Sequence, residues 1–392
     1  MGVLGGRPPR TPGRKGEPVG DVCGVHRCSP AVHDAATTVV WAGSGCQHRV
    51  IPSSGIRLLT SATHGTGLVV ENVELAFDAG GATTPGSDPT ERLVMASSQL
   101  LVTGATGATG YAAVEALQGT DISVRALVHS DDSRADRLRN LGAEIVVGDL
   151  LDIDSVQAAM QGVDAAYFVY PIKPRLLDAT AYFAQAAKES GVGAIVNLSQ
   201  RTSHRHSKSH AAQNHWMAER VFDWSSVPVT HLRPTLFAEW LLYPFAVQGV
   251  TDNDTLALPF GTGKFAPIAA YDQGRVIATV LSDPAPHAGQ TYLLNGPAVL
   301  NGEGVAAALG EGLGRPITYF PFPIEDFQSV AATIPELSDF FAQHIGAVVA
   351  ELNDGLLSET NDTVQQLTGT APMSIQDFAR AHSAEFAHKQ TV

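Results

Sequence analysis

Cysteine is scarce in this chain and is confined to one end. The 392 residues include three cysteines, Cys23, Cys28 and Cys46, and none follows residue 46. Disulfides and cysteine nucleophiles are therefore excluded from the rest of the chain. His26 and His48 lie near the cysteines, but the Cys-x4-Cys and Cys-x-His spacings match the usual zinc ligand sets poorly. We predict no metal site.

Long apolar runs and positive charge are also scarce. No run of 18 apolar residues occurs, although 44% of the residues are hydrophobic, so no membrane span is expected. The formal net charge is −14, and all of it falls on residues 95–392, because basic and acidic residues balance before Met95. An acidic body with few lysines and arginines argues against direct binding to nucleic acid or to anionic membranes.

The first 94 residues lack any sustained helical or strand period and are rich in Gly, Pro, Ser, Thr and Arg, which predicts a disordered extension. Their basic start is not followed by the apolar core of a secretory signal, so we expect a cytoplasmic protein. Met95 stands just before the first predicted strand. We expect translation to begin there, with the preceding segment being upstream sequence read in frame.

A glycine-rich turn follows that first strand. Residues 100–103 (Leu-Leu-Val-Thr) predict a buried strand, and residues 111–117 predict a helix. In the glycine turn, residues 104–110, Gly104 turns the chain off the strand, Gly107 lets the backbone approach a pyrophosphate, and Gly110 lets helix and strand pack closely. Phosphates would lie at the helix N-terminus. A purely structural turn is the alternative to a nucleotide site built from Gly104, Thr106, Gly107, Ala108, Thr109 and Gly110.

Strands and helices alternate from Gln99 to about Arg233, which favours an α/β fold with a doubly wound parallel sheet. We predict strands at 99–103, 122–128, 144–147, 165–169, 194–198 and 229–232. We predict helices at 111–118, 133–141, 153–161, 178–190 and 211–225. Asp152 is expected to cap the helix at 153–161, and Gly142 and Gly191 are expected to end helices in the left-handed conformation.

The alternation stops after Pro234. Residues 235–392 predict a small, mostly helical region with helices at 273–281, 302–312 and 335–352 and a short strand at 290–294. Asp272 is expected to be the N-cap of the first of these helices. The predicted domains are therefore residues 95–234, which bind the nucleotide, and residues 235–392, which supply the substrate region.

Several further motifs connect the chain to a known family. They are residues 103–110 (Thr-Gly-Ala-Thr-Gly-Ala-Thr-Gly), 124–128 (Val-Arg-Ala-Leu-Val), 148–150 (Gly-Asp-Leu) and 227–234 (Val-Pro-Val-Thr-His-Leu-Arg-Pro), with Asn361-Asp362, Leu367-Thr368-Gly369, Pro372 and Asp377-Phe378 in the tail. With these motifs, residues 99–388 resemble the NmrA-like family of atypical short-chain dehydrogenase/reductases. The resemblance implies a Rossmann domain that binds NAD(P)(H), and members that are either reductases or cofactor-sensing regulators without turnover.

The choice between NADP and NAD depends on the end of the second strand. An acidic side chain there binds the ribose 2′-hydroxyl of NAD, whereas a basic one tolerates the 2′-phosphate of NADP. Here the position is occupied by His129, where relatives often have Arg, and Arg134 and Arg137 follow. Because no carboxylate stands at the strand end, we predict NADP. NAD stays open because Asp131 and Asp132 lie just beyond, although capping of the next helix also explains these aspartates.

Two more residues are assigned to the cofactor by position. Asp149, after the third strand, resembles the adenine-side contact of the family, with a loop cap as the alternative. Tyr170, at the end of the fourth strand, is expected to border the nicotinamide pocket, with an ordinary turn as the alternative.

Two residues are candidates for catalysis. Ser199, at the end of the fifth strand, stands where short-chain dehydrogenases carry their serine, but no Tyr-x-x-x-Lys pair follows it. His215 falls where relatives carry Lys or His near the nicotinamide. A histidine that titrates near neutral pH could protonate a reduced quinone, whereas a histidine that only orders its loop is the alternative. His204, His206 and His210 are explained by an exposed loop better than by a metal site.

Two functions are compatible with these residues. The first is an NAD(P)H-dependent reductase of a quinone-like or other small electrophilic acceptor, which His215 favours. The second is a non-catalytic NADP(H) sensor that acts through a protein partner, which the missing Tyr-x-x-x-Lys pair favours.

Overall fold

The structure is a computed structural model that describes residues 98–331 and 339–388. The predicted extension at residues 1–94 and the expected start at Met95 lie outside the described residues, as do residues 335–338 of a predicted helix.

The central sheet has seven parallel strands in the order β3-β2-β1-β4-β5-β6-β8. This order is that of a dinucleotide-binding sheet, with the reversal of strand order between β1 and β4. It confirms the predicted Rossmann-like fold. The nine strands are β1 Gln99–Thr103, β2 Ser123–Val128, β3 Glu144–Val147, β4 Ala165–Phe168, β5 Ala194–Leu198, β6 Val229–Pro234, β7 Thr255–Leu258, β8 Thr291–Leu294 and β9 Thr318–Pro321 within the described residues.

Helices cover the sheet and form most of the C-terminal part. Within the described residues they are α1 Ala108–Ala116, α2 Ser133–Asn140, α3 Ile153–Ala159, α4 Leu176–Ser190, α5 His210–Trp224, α6 Pro244–Asn253, α7 Ala270–Ser282, α8 Gly302–Leu313, α9 Ile324–Ala331, α10 Asp339–Asn353, α11 Thr363–Thr368 and α12 Ile375–Ala381.

The two faces of the sheet carry separate hydrophobic cores. Leu100 and Val102 of β1 lie in the core on one face, where α1 packs against α7. Leu101 points to the other face and packs in a core that contains Phe183 of α4 and Phe222 of α5. Because both faces are buried, the strands are continuously apolar, which is the pattern that predicts them.

The residues after β6 form a third core and also complete the sheet. Trp240, Phe260, Leu309 and Phe378 belong to or pack against this third core, beside which β7 and β9 form a two-stranded parallel sheet. β8 extends the central sheet next to β6, and α7 packs against α1. The assignment of residues 235–392 as a distinct substrate region stays a prediction.

Most of the predicted boundaries agree with the structure. The strands predicted at 99–103, 144–147 and 194–198 have the observed limits. Asp152 caps α3 by accepting the N–H of Asp154, and Gly191 ends α4 with φ of 73°. The helix predicted to begin at residue 111 begins three residues earlier, at Ala108, and Gly107 is its N-cap.

One predicted N-cap is wrong. Asp272 lies inside the first turn of α7, which begins at Ala270 with Ala269 as its N-cap. The Asp272 side chain is fully buried, pairs with Arg275 and accepts the N–H of Met373 at 2.7 Å. An acidic side chain in the first turn is favourable for the helix, and here it also holds the C-terminal segment against α7.

Candidate functional site

The glycine turn leaves no room for side chains. Gly104 has φ of +56°, and a Cβ atom there would lie 2.4 Å from Cγ1 of Val169. A Cβ on Gly110 would lie 2.4 Å from the carbonyl oxygen of Gly104, whereas one on Gly107 would lie 3.2 Å from the same oxygen. Gly104 and Gly110 therefore allow close packing of strand, turn and helix, and Gly107 keeps its exposed side open to a ligand.

The N-terminus of α1 has the character of an anion site. Gly107 is its N-cap, no side chain accepts a hydrogen bond from the first turn, and the first turn holds no acidic residue. Gly107 and Ala108 are exposed. The backbone N–H groups of the first turn are thus left for a ligand, and both these groups and the helix dipole favour a phosphate there.

Hydrogen bonds join Thr103, just before the glycine turn, and Thr109, within it, to the end of β4, the neighbouring strand. The hydroxyl of Thr103 donates to the carbonyl oxygen of Tyr167 and accepts the N–H of Val169. The buried Thr109 Oγ1 lies 3.0 Å from the hydroxyl oxygen of Tyr167. These hydrogen bonds hold the ends of β1 and β4 in place relative to each other. The crevice between these two strands is the switch point where such sheets bind ligands.

The end of β2 carries more cationic groups than free carboxylates. His129 is exposed and lies beside Ser130. Asp132 caps α2 and pairs with Arg134 at 2.7 Å, while Asp131 pairs with Arg139 at 2.6 Å. The capping role expected for these aspartates is confirmed for Asp132, and both carboxylates are already engaged with arginines.

Asp149 and Tyr170 both make local hydrogen bonds in their turns. Asp149 is exposed and accepts the N–H of Leu151 at 2.8 Å, as a loop cap does. Tyr170 donates its hydroxyl to the carbonyl oxygen of Pro174 at 3.1 Å, and its ring borders a cavity. Their assignment to the cofactor stays a prediction.

A cavity of about 280 Å³ lies where β4, β5 and β6 end, next to the glycine turn. It is walled by side chains that follow these strands, by the first residues of α1, by α5 and by α10. Its lining includes Thr109, Tyr170, Ser199, Gln200, Arg201, His215, Pro234, Thr235, Phe237, Trp240, Tyr243, Phe341, His344, Ile345 and Val348.

Four polar atoms of this cavity are buried without a hydrogen-bond partner among the described residues. They are Oγ of Ser199, Nε2 of Gln200, Nδ1 of His215 and Oγ1 of Thr235. Buried polar groups are nearly always paired, so such a cluster in one cavity indicates a polar ligand atom or ordered water. The structure thus brings Ser199 and His215, the two predicted catalytic residues, to the same cavity as Thr109 and Tyr170.

The expectation that His215 titrates near neutral pH is wrong. His215 is 5% exposed, and burial lowers its pKa to about 4, although the Glu219 carboxylate one turn away raises it. Desolvation disfavours the charged imidazolium. At neutral pH the ring is therefore uncharged, so it can donate or accept a hydrogen bond but is not a charged proton donor.

A buried ion pair holds α5 against β6 beside the cavity. Glu219 is fully buried, and Arg233 donates a hydrogen bond to each of its carboxylate oxygens, with Nε 2.8 Å from Oε1. A bidentate arginine pair is geometrically specific. It positions His215, one turn before Glu219, relative to Pro234 and Thr235 at the end of β6.

Aromatic rings form another wall of the cavity. The centre of the Trp240 ring lies 4.9 Å from that of Tyr243 and 6.5 Å from that of Phe341, and the planes of Trp240 and Phe341 are 15° apart. On α10, Ile345 and Val348 are buried, and these residues also line the cavity. The wall suits a flat, apolar ligand.

The histidines after β5 lie outside this cavity. His206 and His210 are exposed, and His204 lies 3.2 Å from Oε1 of Glu351. Within residues 98–331 and 339–388, no three histidine, cysteine or acidic side chains are grouped as metal ligands. None of the described helices is long and apolar enough to cross a membrane.

Sequence reasoning missed His344, Thr235 and the Trp240 ring, all of which line the cavity. Thr235 directly follows the motif that ends at Pro234, and this proximity is the one signal that could have identified it. His344 and Trp240 lie in no motif, and only the packing of α10 and of the segment after β6 brings them here.

Comparison with known proteins gives a consistent set of relatives. The model of the NmrA-like family matches residues 96–365. The NAD(P)H azoreductase of Xenophilus azovorans is 30% identical over 289 residues, which cover 73% of this chain and 99% of the azoreductase.

Solved structures with the same fold include an enzyme and a regulator. The NADPH-dependent quinone oxidoreductase of Escherichia coli, solved with NADPH, has a TM-score of 0.63 at 24% identity, over 73% of this chain and 99% of that one. NmrA, a negative transcriptional regulator solved with NADP, has a TM-score of 0.59 at 17% identity, over 72% of this chain and 94% of that one.

Proposed function

This chain belongs to the NmrA-like family, and we propose that it is an NADPH-dependent reductase of a small, flat, electron-poor acceptor of the quinone type. The cofactor would be held by the glycine turn and the acceptor by the cavity beside it. The cytoplasmic location and the lack of direct nucleic-acid binding stay predictions from the sequence.

The residues at the glycine turn fit the pyrophosphate of a dinucleotide. Gly104 and Gly110 let strand, turn and helix pack closely, Gly107 leaves its exposed side open, and the first turn of α1 offers N–H groups that no side chain caps. When bound there, NADPH supplies the hydride. Thr109 belongs both to this turn and to the cavity lining, so the two sites are contiguous.

The end of β2 supports NADP over NAD. A 2′-phosphate there would meet the exposed His129 and the arginines of α2, whereas Asp131 and Asp132 are paired with Arg139 and Arg134. Because the nearby aspartates are paired with arginines of α2, no free carboxylate among the described residues at this strand end repels a 2′-phosphate. The relatives solved with NADPH and NADP support the same choice.

The polar groups of the cavity suit an acceptor that stabilises its own negative charge. Burial lowers the pKa of His215 and raises the pKa values of Tyr170 and Tyr243, so none of these groups is a strong acid at neutral pH. Ser199, Thr235 and Gln200 are neutral. A quinone spreads the arriving electron pair over its oxygens, which neutral N–H and O–H donors can bind while water supplies the proton. An ordinary ketone would need a stronger acid.

The observation that carries this proposal is the cluster of unpartnered neutral polar atoms in an aromatic cavity that borders the glycine turn. Its test is NADPH oxidation by the full chain with 1,4-naphthoquinone, an azo dye and cyclohexanone. We expect reduction of the first two and none of the ketone. The rate should be independent of pH between about 6 and 8, because His215 is neutral throughout. If none of the electron-poor acceptors were reduced, the proposal would fail.

A regulator without turnover is the second candidate function. It is favoured by the neutral, buried His215 and by the absence of a Tyr-x-x-x-Lys pair after Ser199. NmrA shows that this fold occurs in a transcriptional regulator. A regulator would bind NADPH, oxidise it with none of the acceptors, and change its affinity for a protein partner when the cofactor binds.

A further inference from the structure

His344 is a polar side chain on the otherwise apolar part of α10 that lines the cavity. Its neighbours there are Phe341, Ile345 and Val348. The residue is 7% exposed, so its ring is buried in the cavity wall. A buried imidazole needs partners for both ring nitrogens, and the structure supplies one.

The partner is Ser209, and it determines which nitrogen of His344 carries the proton. Ser209 is the N-cap of α5, and its fully buried Oγ accepts the N–H of Ala212 at 3.0 Å. The same Oγ lies 2.7 Å from Nδ1 of His344. Its hydroxyl hydrogen has no other acceptor among the described residues, so it is donated to Nδ1. The proton of the neutral ring is then on Nε2.

The Nε2 edge of the ring is available to a ligand. Because Nδ1 is directed at Ser209, the opposite edge is the part of the ring left to face the cavity, and Nε2 has no partner among the described residues. Burial, followed by the charge that His215 could carry, lowers the pKa of His344 to about 3. The donor is therefore uncharged at neutral pH and its direction is fixed by the cap of α5.

We propose that the Nε2–H group of His344 donates a hydrogen bond to an oxygen or nitrogen atom of the acceptor, which makes His344 a specificity-determining residue. This inference rests on the proposed function, because it specifies which acceptors the cavity takes. It selects flat rings that carry a hydrogen-bond acceptor, such as a quinone carbonyl or an azo nitrogen, over plain aromatic hydrocarbons. A site built around a donor discriminates against ligands that leave that donor unpaired.

Two substitutions separate the two edges of the ring. In His344→Asn the amide oxygen can accept from Ser209 at the place of Nδ1, but nothing replaces the donor at Nε2. In His344→Gln the amide nitrogen can replace that donor. The probes are 1,4-naphthoquinone and naphthalene, which have similar size and shape but differ in their oxygens. Their binding to the full chain saturated with NADP⁺ is measured by equilibrium dialysis.

We expect His344→Asn to weaken naphthoquinone binding about tenfold and to leave naphthalene binding unchanged, since one hydrogen bond is lost. His344→Gln should restore most of the affinity for naphthoquinone. Unchanged naphthoquinone binding in His344→Asn, or an equal loss for both compounds in both variants, would overturn the inference. So would a wild-type protein that binds neither compound. Binding without reduction would instead contradict the proposed function while still deciding the role of His344.

A second measurement is made on the wild-type protein, and His344→Gln serves only to assign the resonance. In ¹⁵N-histidine spectra of the wild type, the resonance that is missing in His344→Gln should be that of a neutral ring protonated at Nε2. Its Nε2 signal should shift when naphthoquinone is added and stay in place with naphthalene. A ring protonated at Nδ1, or an Nε2 signal that does not respond to naphthoquinone, would refute the proposed contact.

Discussion

The glycine turn and the cavity lie side by side but are built in opposite ways. The glycine turn is one continuous segment whose working groups are exposed backbone N–H groups of α1. The cavity is lined by side chains, many of them buried, that come from strand ends and helices spread from Thr109 to Leu357. A site made of backbone groups needs residues without side chains, so a substitution at its glycines strongly reduces ligand binding. A site made of buried side chains keeps titratable groups out of water, so its stability responds to pH.

The largest effect is expected where the backbone is most exposed to the ligand. Gly107→Asp adds a carboxylate at the N-terminus of α1, where it would occupy the place and the charge of the pyrophosphate. We expect NADPH affinity to fall at least about 100-fold, because two or more charge-assisted hydrogen bonds are lost. Fluorescence titration with NADPH measures this, and the melting temperature should change far less because Gly107 is exposed.

The matched control is Gly193→Asp. Gly193 is also exposed, and a Cβ there would lie 3.1 Å from a backbone oxygen, that of Asp164, compared with 3.2 Å for Gly107. It lies just before β5, at the N-terminal end of the parallel strands, whereas the glycine turn follows the C-terminal end of β1. Equal loss of NADPH binding in the two variants would show that crowding and charge act on the fold and not on a phosphate site.

The same difference explains why the glycine turn is easier to predict from the sequence than the cavity is. The glycine turn is encoded in neighbouring residues, so the spacing of Gly104, Gly107 and Gly110, with a strand before it and a helix after it, predicts it. The limits of β1 and β5 were equally predictable, because continuous apolar runs indicate strands buried on both faces.

The cavity was predictable only in part. Ser199 and His215 were placed there by the family resemblance, but the burial that lowers the pKa of His215 arises from α10 packing against α5. His344 contacts Ser209 across 135 residues of sequence, a pairing that no local pattern encodes. Asp272 was misplaced as an N-cap for the same reason, since its partner Met373 is also remote.

The second largest effect concerns the acid sensitivity of the cavity. The ordinary pKa of His215 is 6.5, and in the folded protein it is about 4. Between these values the unfolded chain binds a proton that the folded chain does not, so stability falls as the pH drops from about 6.5 to about 4. At pH about 4.5 the loss from this residue is about 2 kcal/mol.

Denaturant unfolding at neutral pH and at pH about 4.5 measures this loss. His215→Gln should lose about 2 kcal/mol less stability on acidification than the wild type, because the titrating group is gone. The control is His206→Gln, which removes an exposed histidine without altering the cavity. If His215→Gln and the wild type lost the same stability, His215 would not be a source of the acid sensitivity of the cavity, which the second buried histidine, His344, would then have to supply.

The smallest effect is expected at the exposed end of β2, which would hold the cofactor through side chains and not through backbone. A carboxylate there should bind the ribose 2′-hydroxyl of NADH and repel the 2′-phosphate of NADPH. Because His129 is exposed, solvent screens the charge, and we expect His129→Asp to shift the ratio of NADPH to NADH affinities by no more than about fivefold.

The control is His129→Asn, whose side chain has nearly the same shape as that of Asp without the charge, and which should shift the ratio less. The two ratios come from fluorescence titrations at low salt, where screening is weakest. Equal ratios in both variants would mean that charge at this strand end does not select the cofactor, and the preference for NADPH would then have to come from the arginines of α2.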